Sequence, residues 1–391
     1  MNMTLDDKLS EKIKIFDYFN DSFQFACERL KMNQISGPID EVKSHLRKVK
    51  DEKKPIWFVG VGRSGLVGVI LSAYARINGF NSGWITEEST LSPEFNKDHT
   101  LLLITGTGTT PETVGYASEA REAGSKLICF TSYPQQKIGE LSDYKIHIPG
   151  RTKIDERDLD TRQLINNPLD ILGSEFEHSA LLTGLCLIDI LNSDKNINQR
   201  KSEFIDYIKN IKLDSNQFLK RALRIHKTKE NNKKIVTVGV GMSNVVAKFY
   251  AKRLAHCAKK DDDIHVYHKS DAGLSTIKKD DLIEIISGSG RKYWAEKIDL
   301  IHSSGANINL ITSYKTSLAA MKLNANDLLI QIPGRIIERE KELGETAVPS
   351  SLEKLVFEIR TLIADDVFIH YFLNLEGITH KEVQDRHPIF T

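Results

Sequence analysis

Short apolar runs alternate along this chain with longer segments whose apolar positions recur every three or four residues. The runs include "IWFVG", "LLLIT" and "KLICF" in the first half and "IVTVG" and "LIEII" in the second. They predict strands near 56–60, 82–86, 101–105, 126–130 and 145–148, and again near 235–239, 264–268, 282–287, 307–311 and 328–332. Segments such as Glu112 to Gly124 and Trp294 to Gly305 carry the helical period between them. Strands buried on both faces and separated by helices make a parallel sheet covered on each side. The pattern therefore predicts an α/β protein of two tandem three-layer α/β/α sandwiches, each with a five-stranded parallel sheet. An amphipathic segment precedes each set. Ile13, Phe16, Phe19 and Phe23 stand ahead of the first, and Phe204, Ile205, Ile208 and Ile211 ahead of the second.

The two halves repeat one another in order and spacing. "IWFVGVGRSG" at 56–65 returns as "IVTVGVGMSN" at 235–244, and "LLLITGTGTT" at 101–110 as "LIEIISGSGR" at 282–291. "TSY" and "IPGR", at 131–133 and 148–151, return at 312–314 and 332–335. The polar stretch Asn192 to Arg200 separates the copies and sets the expected domains at 1–194 and 195–391.

In a parallel sheet, ligands sit where strand carboxyl ends meet helix N-termini. "GVGRSG" has the glycines of a dinucleotide turn, but the acid expected about 20 residues on is absent from Asn78 to Ser82. "TGTGTT", Thr105 to Thr110, offers four hydroxyls and two glycines at a strand end, with Pro111 opening the next helix. Hydroxyls and unpaired amides at a helix start can cradle a phosphate, and no P-loop lysine points to a nucleoside triphosphate. The bland alternative is a capped loop without ligand. Arg63 and Ser64 project beside that loop, where arginine can pair with phosphate or a sugar hydroxyl or simply lie on the surface. Gly173 and Ser174 cap a long apolar helix whose first turn holds Glu175, Glu177 and His178. Carboxylates there can be chemical groups or only partners of the helix dipole.

Composition narrows the partners. Lys plus Arg number 54 and Asp plus Glu 53, a formal charge of +1, so no overall field favours nucleic acid or an anionic membrane. The four cysteines, Cys27, Cys129, Cys186 and Cys257, lack C-x-x-C spacing and read as buried free thiols. Acids in "MNMTLDDKLSEK" oppose a secretory signal, and the expectation is a soluble cytoplasmic protein. His265 and His268 fall on opposite faces of a strand, which argues against a metal site there.

With these residues in place, the chain resembles the SIS (sugar isomerase) domain family, in particular the 6-phospho-3-hexuloisomerases, duplicated in tandem. The resemblance rests on "GVGRSG", "TGTGTTPET", "TSYPQQKIGELSD", "IPGR", "PLDILGSEFE" at 168–177 and a terminal "DRH" at 385–387. It implies a phosphorylated sugar as ligand, held by Gly62, Arg63, Ser64, Thr105, Thr107 and Thr110. It also implies Glu177 as catalytic base, His387 reaching a neighbouring unit's site, and no metal or redox cofactor. The implied reaction interconverts a 3-ketohexose 6-phosphate and fructose 6-phosphate through a cis-enediol. Aldose–ketose isomerisation and a binding-only regulator stay open as alternatives. The inequality of the two copies predicts an intrachain pseudo-dimer with one competent site, and the family's habit of association leaves room for a further homodimer.

The copies are unequal. Met242 stands for Arg63, Asn244 for Gly65, and Arg291 and Lys292 for Thr109 and Thr110. Glu353 is the expected counterpart of Glu177, and Ser287, Ser289 and Arg291 form a candidate second anion site. Glu284, in a strand that should be buried, suggests that the second copy has drifted.

Overall fold

The computed structural model describes residues 13–89, 93–151, 168–169, 173–258, 264–335, 352–379 and 382–383. Helices α1 (Phe19–Met32) and α2 (Ile39–Asp51) lead into β1 (Pro55–Val59) and α3 (Gly62–Ile77). Then follow β2 (Asn81–Ile85), β3 (Thr100–Ile104), α4 (Pro111–Glu122), β4 (Lys126–Thr131), α5 (Lys137–Leu141), β5 (Tyr144–His147) and α6 (Ser174–Asp189). The second series is α7 (Ile197–Lys209), α8 (Ser215–Glu230), β6 (Ile235–Gly239), α9 (Met242–Leu254), β7 (Val266–His268) and β8 (Leu282–Ile286). It ends with α10 (Lys292–Ser303), β9 (Asn307–Thr312), β10 (Leu328–Gln331) and α11 (Val356–Glu376).

Each series forms one five-stranded parallel sheet, in the orders β2-β1-β3-β4-β5 and β7-β6-β8-β9-β10. All ten strands lie within two residues of their expected places. The central strands β3 and β8 are buried at every position, as their unbroken apolar runs require. On one face of the first sheet, Val59, Leu101, Leu103 and Cys129 pack against Ala117 and Ala120 of α4. In both sheets the chain leaves the first strand toward one edge and later returns on its other side. The loops after β1 and β3 therefore diverge, and a crevice opens between them at the strand carboxyl ends.

Contacts divide the chain into two compact units that do not coincide with the sequence halves. One comprises Cys27–Tyr207 with the first sheet, and the other takes the chain up to Ala26 together with the chain from Ile208 and the second sheet. Phe16, Phe19 and Phe23, expected ahead of the first sheet, thus belong to the unit that holds the second. There Phe19 stacks on Phe218 at 3.9 Å, Phe16 lies 5.2 Å from Tyr371, and the hydroxyls of Ser22 and Tyr371 share a 2.6 Å hydrogen bond. Conversely Phe204 and Ile205 belong to the first sheet's unit, where Lys201 donates to the Leu30 carbonyl and Lys31 pairs with Asp206 at 2.7 Å. An apolar stripe states that a helix must bury a face, and it leaves open which sheet will cover it.

The four cysteines are buried and form no disulfide, and burial pushes the Cys186 thiol up to about 12. Among the described residues no helix is long and apolar enough to cross a membrane.

Candidate active site

The loop after β3 is folded on its own hydroxyls. Thr105 Oγ1 lies 3.0 Å from Thr110 Oγ1 and accepts from the Gly108 amide at 3.3 Å. Thr107 Oγ1 accepts from the Thr109 amide at 3.4 Å. Gly108, at φ +71°, turns the chain tightly enough to close this ring, and Pro111 occupies the first turn of α4 as expected. Thr105 is buried, while Thr107 and Thr110 are half-buried. They lie between the carboxyl end of β3 and the first turn of α4.

The start of α6 is brought to this loop by two glycines. A Cβ on Gly106 would stand 3.1 Å from the Phe176 ring, and one on Gly150 only 2.6 Å from the Phe176 nitrogen. The "IPGR" segment is itself pinned to the end of β4. Ser132 Oγ donates to the Ile148 carbonyl at 2.7 Å and accepts from the Arg151 amide at 3.2 Å, while the Tyr133 hydroxyl donates to the Arg151 carbonyl at 2.8 Å. The recurrent "TSY" is therefore a clamp on "IPGR", and "IPGR" in turn seats the helix that carries Glu177. From the other side, Glu175 Oε1 accepts from Asn33 Nδ2 at 2.8 Å and from Arg29 Nε at 3.2 Å. Gly150 has φ +118°, so Gly150→Ala combines backbone strain with a clash against that helix start. The expected loss is about 1–3 kcal/mol, read as a lowered urea midpoint.

Glu177 is 6% exposed, and its Oε2 has no hydrogen-bond partner among the described residues. Arg63 Nη1 lies 3.4 Å from that oxygen, close enough for charge attraction but not placed as a hydrogen bond. The same nitrogen donates to Ser174 Oγ at 3.4 Å. Ser64 is buried beside Arg63 in the first turn of α3. The Gly62 amide is occupied within the chain, donating to Glu87 Oε2 at 2.9 Å. Arg63, Ser64, the threonine loop and Glu177 thus converge in one unit, as the sequence predicts, whereas His387 lies outside the described residues. The sequence pattern by itself assigns no role to Glu87, Arg151 or Tyr133. Only the repetition of "TSY" and "IPGR" could have flagged the last two.

The second unit repeats this scaffold with different partners. Ser313 Oγ donates to the Ile332 carbonyl at 3.1 Å and accepts from the Arg335 amide at 3.0 Å. A Cβ on Gly334 would meet the Phe357 nitrogen at 2.6 Å. Phe357 therefore matches Phe176, and the counterpart of Glu177 is Glu358, not Glu353. Spacing held the clue. Glu177 follows Gly150 by 27 residues and Glu358 follows Gly334 by 24, whereas Glu353 follows it by only 19. With Met242 in place of Arg63, the arginine facing the acid is Arg335, whose Nη2 donates to Glu358 Oε1 at 3.2 Å, and Ser243 Oγ donates to the same oxygen at 2.9 Å. Ser287 is buried with its Oγ accepting from the Gly290 amide at 3.2 Å, Ser289 is half-buried, and Arg291 is exposed at the start of α10. Asn244 turns its Oδ1 to His268 Nε2 at 3.2 Å, and His265 Nε2 meets Asn232 at 2.7 Å.

Burial pushes the Glu358 carboxyl above its ordinary 4.5, against the opposing pull of Arg335 and Ser243. The folded chain then holds this proton more tightly than the unfolded chain does. Its contribution to stability is complete below the ordinary value and is lost as pH rises through the raised one. Thermal unfolding over a pH series should therefore show wild type losing stability above pH 4.5 relative to Glu358→Gln, with the two curves drawing together in acid.

Residues 50–159 match the SIS domain family. A 3-hexulose-6-phosphate isomerase of Mycobacterium gastri is 30% identical over 142 residues, which is 34% of this chain and 70% of that protein. An uncharacterized protein of Aeropyrum pernix is 34% identical over 155 residues, 39% of this chain and 72% of that protein. Among solved structures, tagatose-6-phosphate ketose/aldose isomerase from Escherichia coli aligns with TM-score 0.55 at 14% identity, covering 98% of this chain and 97% of that one. The C-terminal domain of glucosamine-fructose-6-phosphate aminotransferase from Francisella tularensis aligns with TM-score 0.57 at 12% identity over 95% and 97%. At such identities the structural likeness speaks for the fold alone.

Proposed function

We propose, from the premise that the chain belongs to the SIS domain family, that it is a phosphosugar isomerase of the 6-phospho-3-hexuloisomerase type, with its working site in the first sheet's unit. The observation that carries the reading is the buried Glu177 oxygen that lacks a hydrogen-bond partner and faces Arg63. A carboxylate held this way keeps a lone pair for a carbon-bound proton and a cation beside it for the oxygen that becomes negative.

In this reading Thr105, Thr107 and Thr110 receive the phosphoryl group at the start of α4, and Arg63 and Ser64 meet the sugar oxygens. Glu177 removes the C3 proton of fructose 6-phosphate, and the electrons move into the C2 carbonyl to give the cis-enediol. The hydroxyl proton passes from O3 to O2 and the same carboxyl returns the carbon-bound proton at C2, leaving the carbonyl at C3, so one group serves both carbons from one face. Arg63 stabilises the enediolate oxygen. In the second unit Ser287, Ser289 and Arg291 offer a corresponding anion cradle, with Glu358 held by Ser243 and Arg335.

The test is incubation with fructose 6-phosphate in deuterated water. Exchange at C3 supports this reaction, and exchange at C1 replaces it with aldose–ketose chemistry. Binding without exchange at either carbon makes the protein a phosphosugar-binding regulator.

A further inference from the structure

The carboxyl edge of the first sheet has a fixed order of chemistry. Reading β3, β1, β2 across neighbouring strands, it presents the hydroxyl loop Thr105–Thr110, then Gly62 and Arg63, then Glu87. Each step between paired parallel strands is about 4.8 Å, so the outer stations are roughly 10 Å apart. A hexose chain anchored by its phosphoryl group on the threonine loop therefore lays its first carbons toward β1 and β2, past Arg63.

The last station is occupied by the protein's own anion. Helix α3 has no acid in its first turn and no side-chain cap from Val61, and Gly62 enters it at φ +62°. A helix start of this kind attracts a phosphoryl oxygen. Here Glu87 Oε2 takes the Gly62 amide at 2.9 Å instead, from the segment that follows β2. Glu87 is exposed and follows β2, two strands from β3 in the sheet order.

We infer that Glu87 is a specificity-determining residue that restricts the pocket to sugars bearing a single phosphoryl group, by standing where a second one, on C1, would otherwise bind. The inference rests on the proposed phosphosugar site and adds to it a reason for rejecting bisphosphates. Like charge set against a ligand is an effective means of exclusion, because it penalises the wrong ligand without contacting the reacting carbons of the right one.

The experiment measures Kd for fructose 6-phosphate and for fructose 1,6-bisphosphate by calorimetry, and the quantity read is their ratio. Wild type should bind the monophosphate at least about tenfold more tightly. Glu87→Gln keeps an acceptor for the Gly62 amide but removes the charge, and should shrink the ratio by about tenfold; Glu87→Asp keeps the charge and should preserve it. An equal ratio in wild type, or a ratio unchanged in Glu87→Gln, overturns the role of Glu87 while leaving the site intact. Failure of wild type to bind fructose 6-phosphate overturns the phosphosugar reading, and this inference with it.

Discussion

Glu177→Gln is expected to lower deuterium exchange into fructose 6-phosphate by at least about 100-fold, the lower end of what a positioned general base contributes. The amide preserves the size of the side chain and removes the basic oxygen. Because Glu177 Oε2 has no hydrogen-bond partner among the described residues, the substitution breaks no hydrogen bond at that atom. The thermal midpoint should accordingly stay close to that of wild type, which separates loss of chemistry from loss of fold. Arg63→Met installs the residue found at the same place in the second unit, Met242, and should also depress exchange by removing the cation beside the developing oxyanion. Exchange within tenfold of wild type in Glu177→Gln would show that the proton is moved by another group.

The largest effect on stability is expected at Glu284. This carboxylate is fully buried within the second sheet, yet it is not a mark of drift. Arg221 Nη2 donates to its Oε2 at 2.7 Å, and Asn309 Nδ2 to its Oε1 at 2.7 Å. Arg221 also donates to Asp365 Oδ1 at 2.6 Å and lies over the Tyr250 and Phe368 rings at 4.3 and 4.5 Å. Burial raises the Asp365 carboxyl to about 7 even with Arg221 beside it. Glu284→Leu leaves a buried guanidinium and amide short of an acceptor and should cost about 3–5 kcal/mol, seen as a fall in the urea midpoint. The triple change Arg221→Met, Glu284→Leu and Asp365→Leu should recover most of that loss, because it leaves neither the guanidinium nor a carboxylate buried alone and apolar replacement of a buried ionic cluster is often neutral. The first sheet shows the apolar solution, because the strand pairings that match Thr237 with Glu284 match Phe58 with Leu102. A single variant as stable as wild type, or a triple variant no better than the single, would remove the network from the account of stability.

How much was legible in the residues differs from element to element. The strands were, because a strand buried on both faces must be apolar along its length and "LLLI" or "KLICF" admits few other structures. The threonine loop was legible too, because hydroxyls and glycines at a strand end beside a proline-led helix perform a local task. Glu358 was missed in favour of Glu353. The spacing from "IPGR" to the acid differs by three residues between the copies and so only narrows the choice, and the seating of Phe357 on Gly334 fixes the register. Glu284 was misread because periodicity reports that a position is buried and is silent about what faces it from α8 and α11.

By itself the sequence determined two parallel sheets, their strand order of appearance, and the loops that carry hydroxyls, arginine and acid to the strand ends, since each follows from contacts made within a few tens of residues. Tertiary structure decided which sheet each leading helix serves, which arginine faces each buried carboxylate, and that Glu87 takes the Gly62 amide. Those outcomes depend on side chains that meet only after the sheets have formed, and burial free energy has no direction until a partner surface exists.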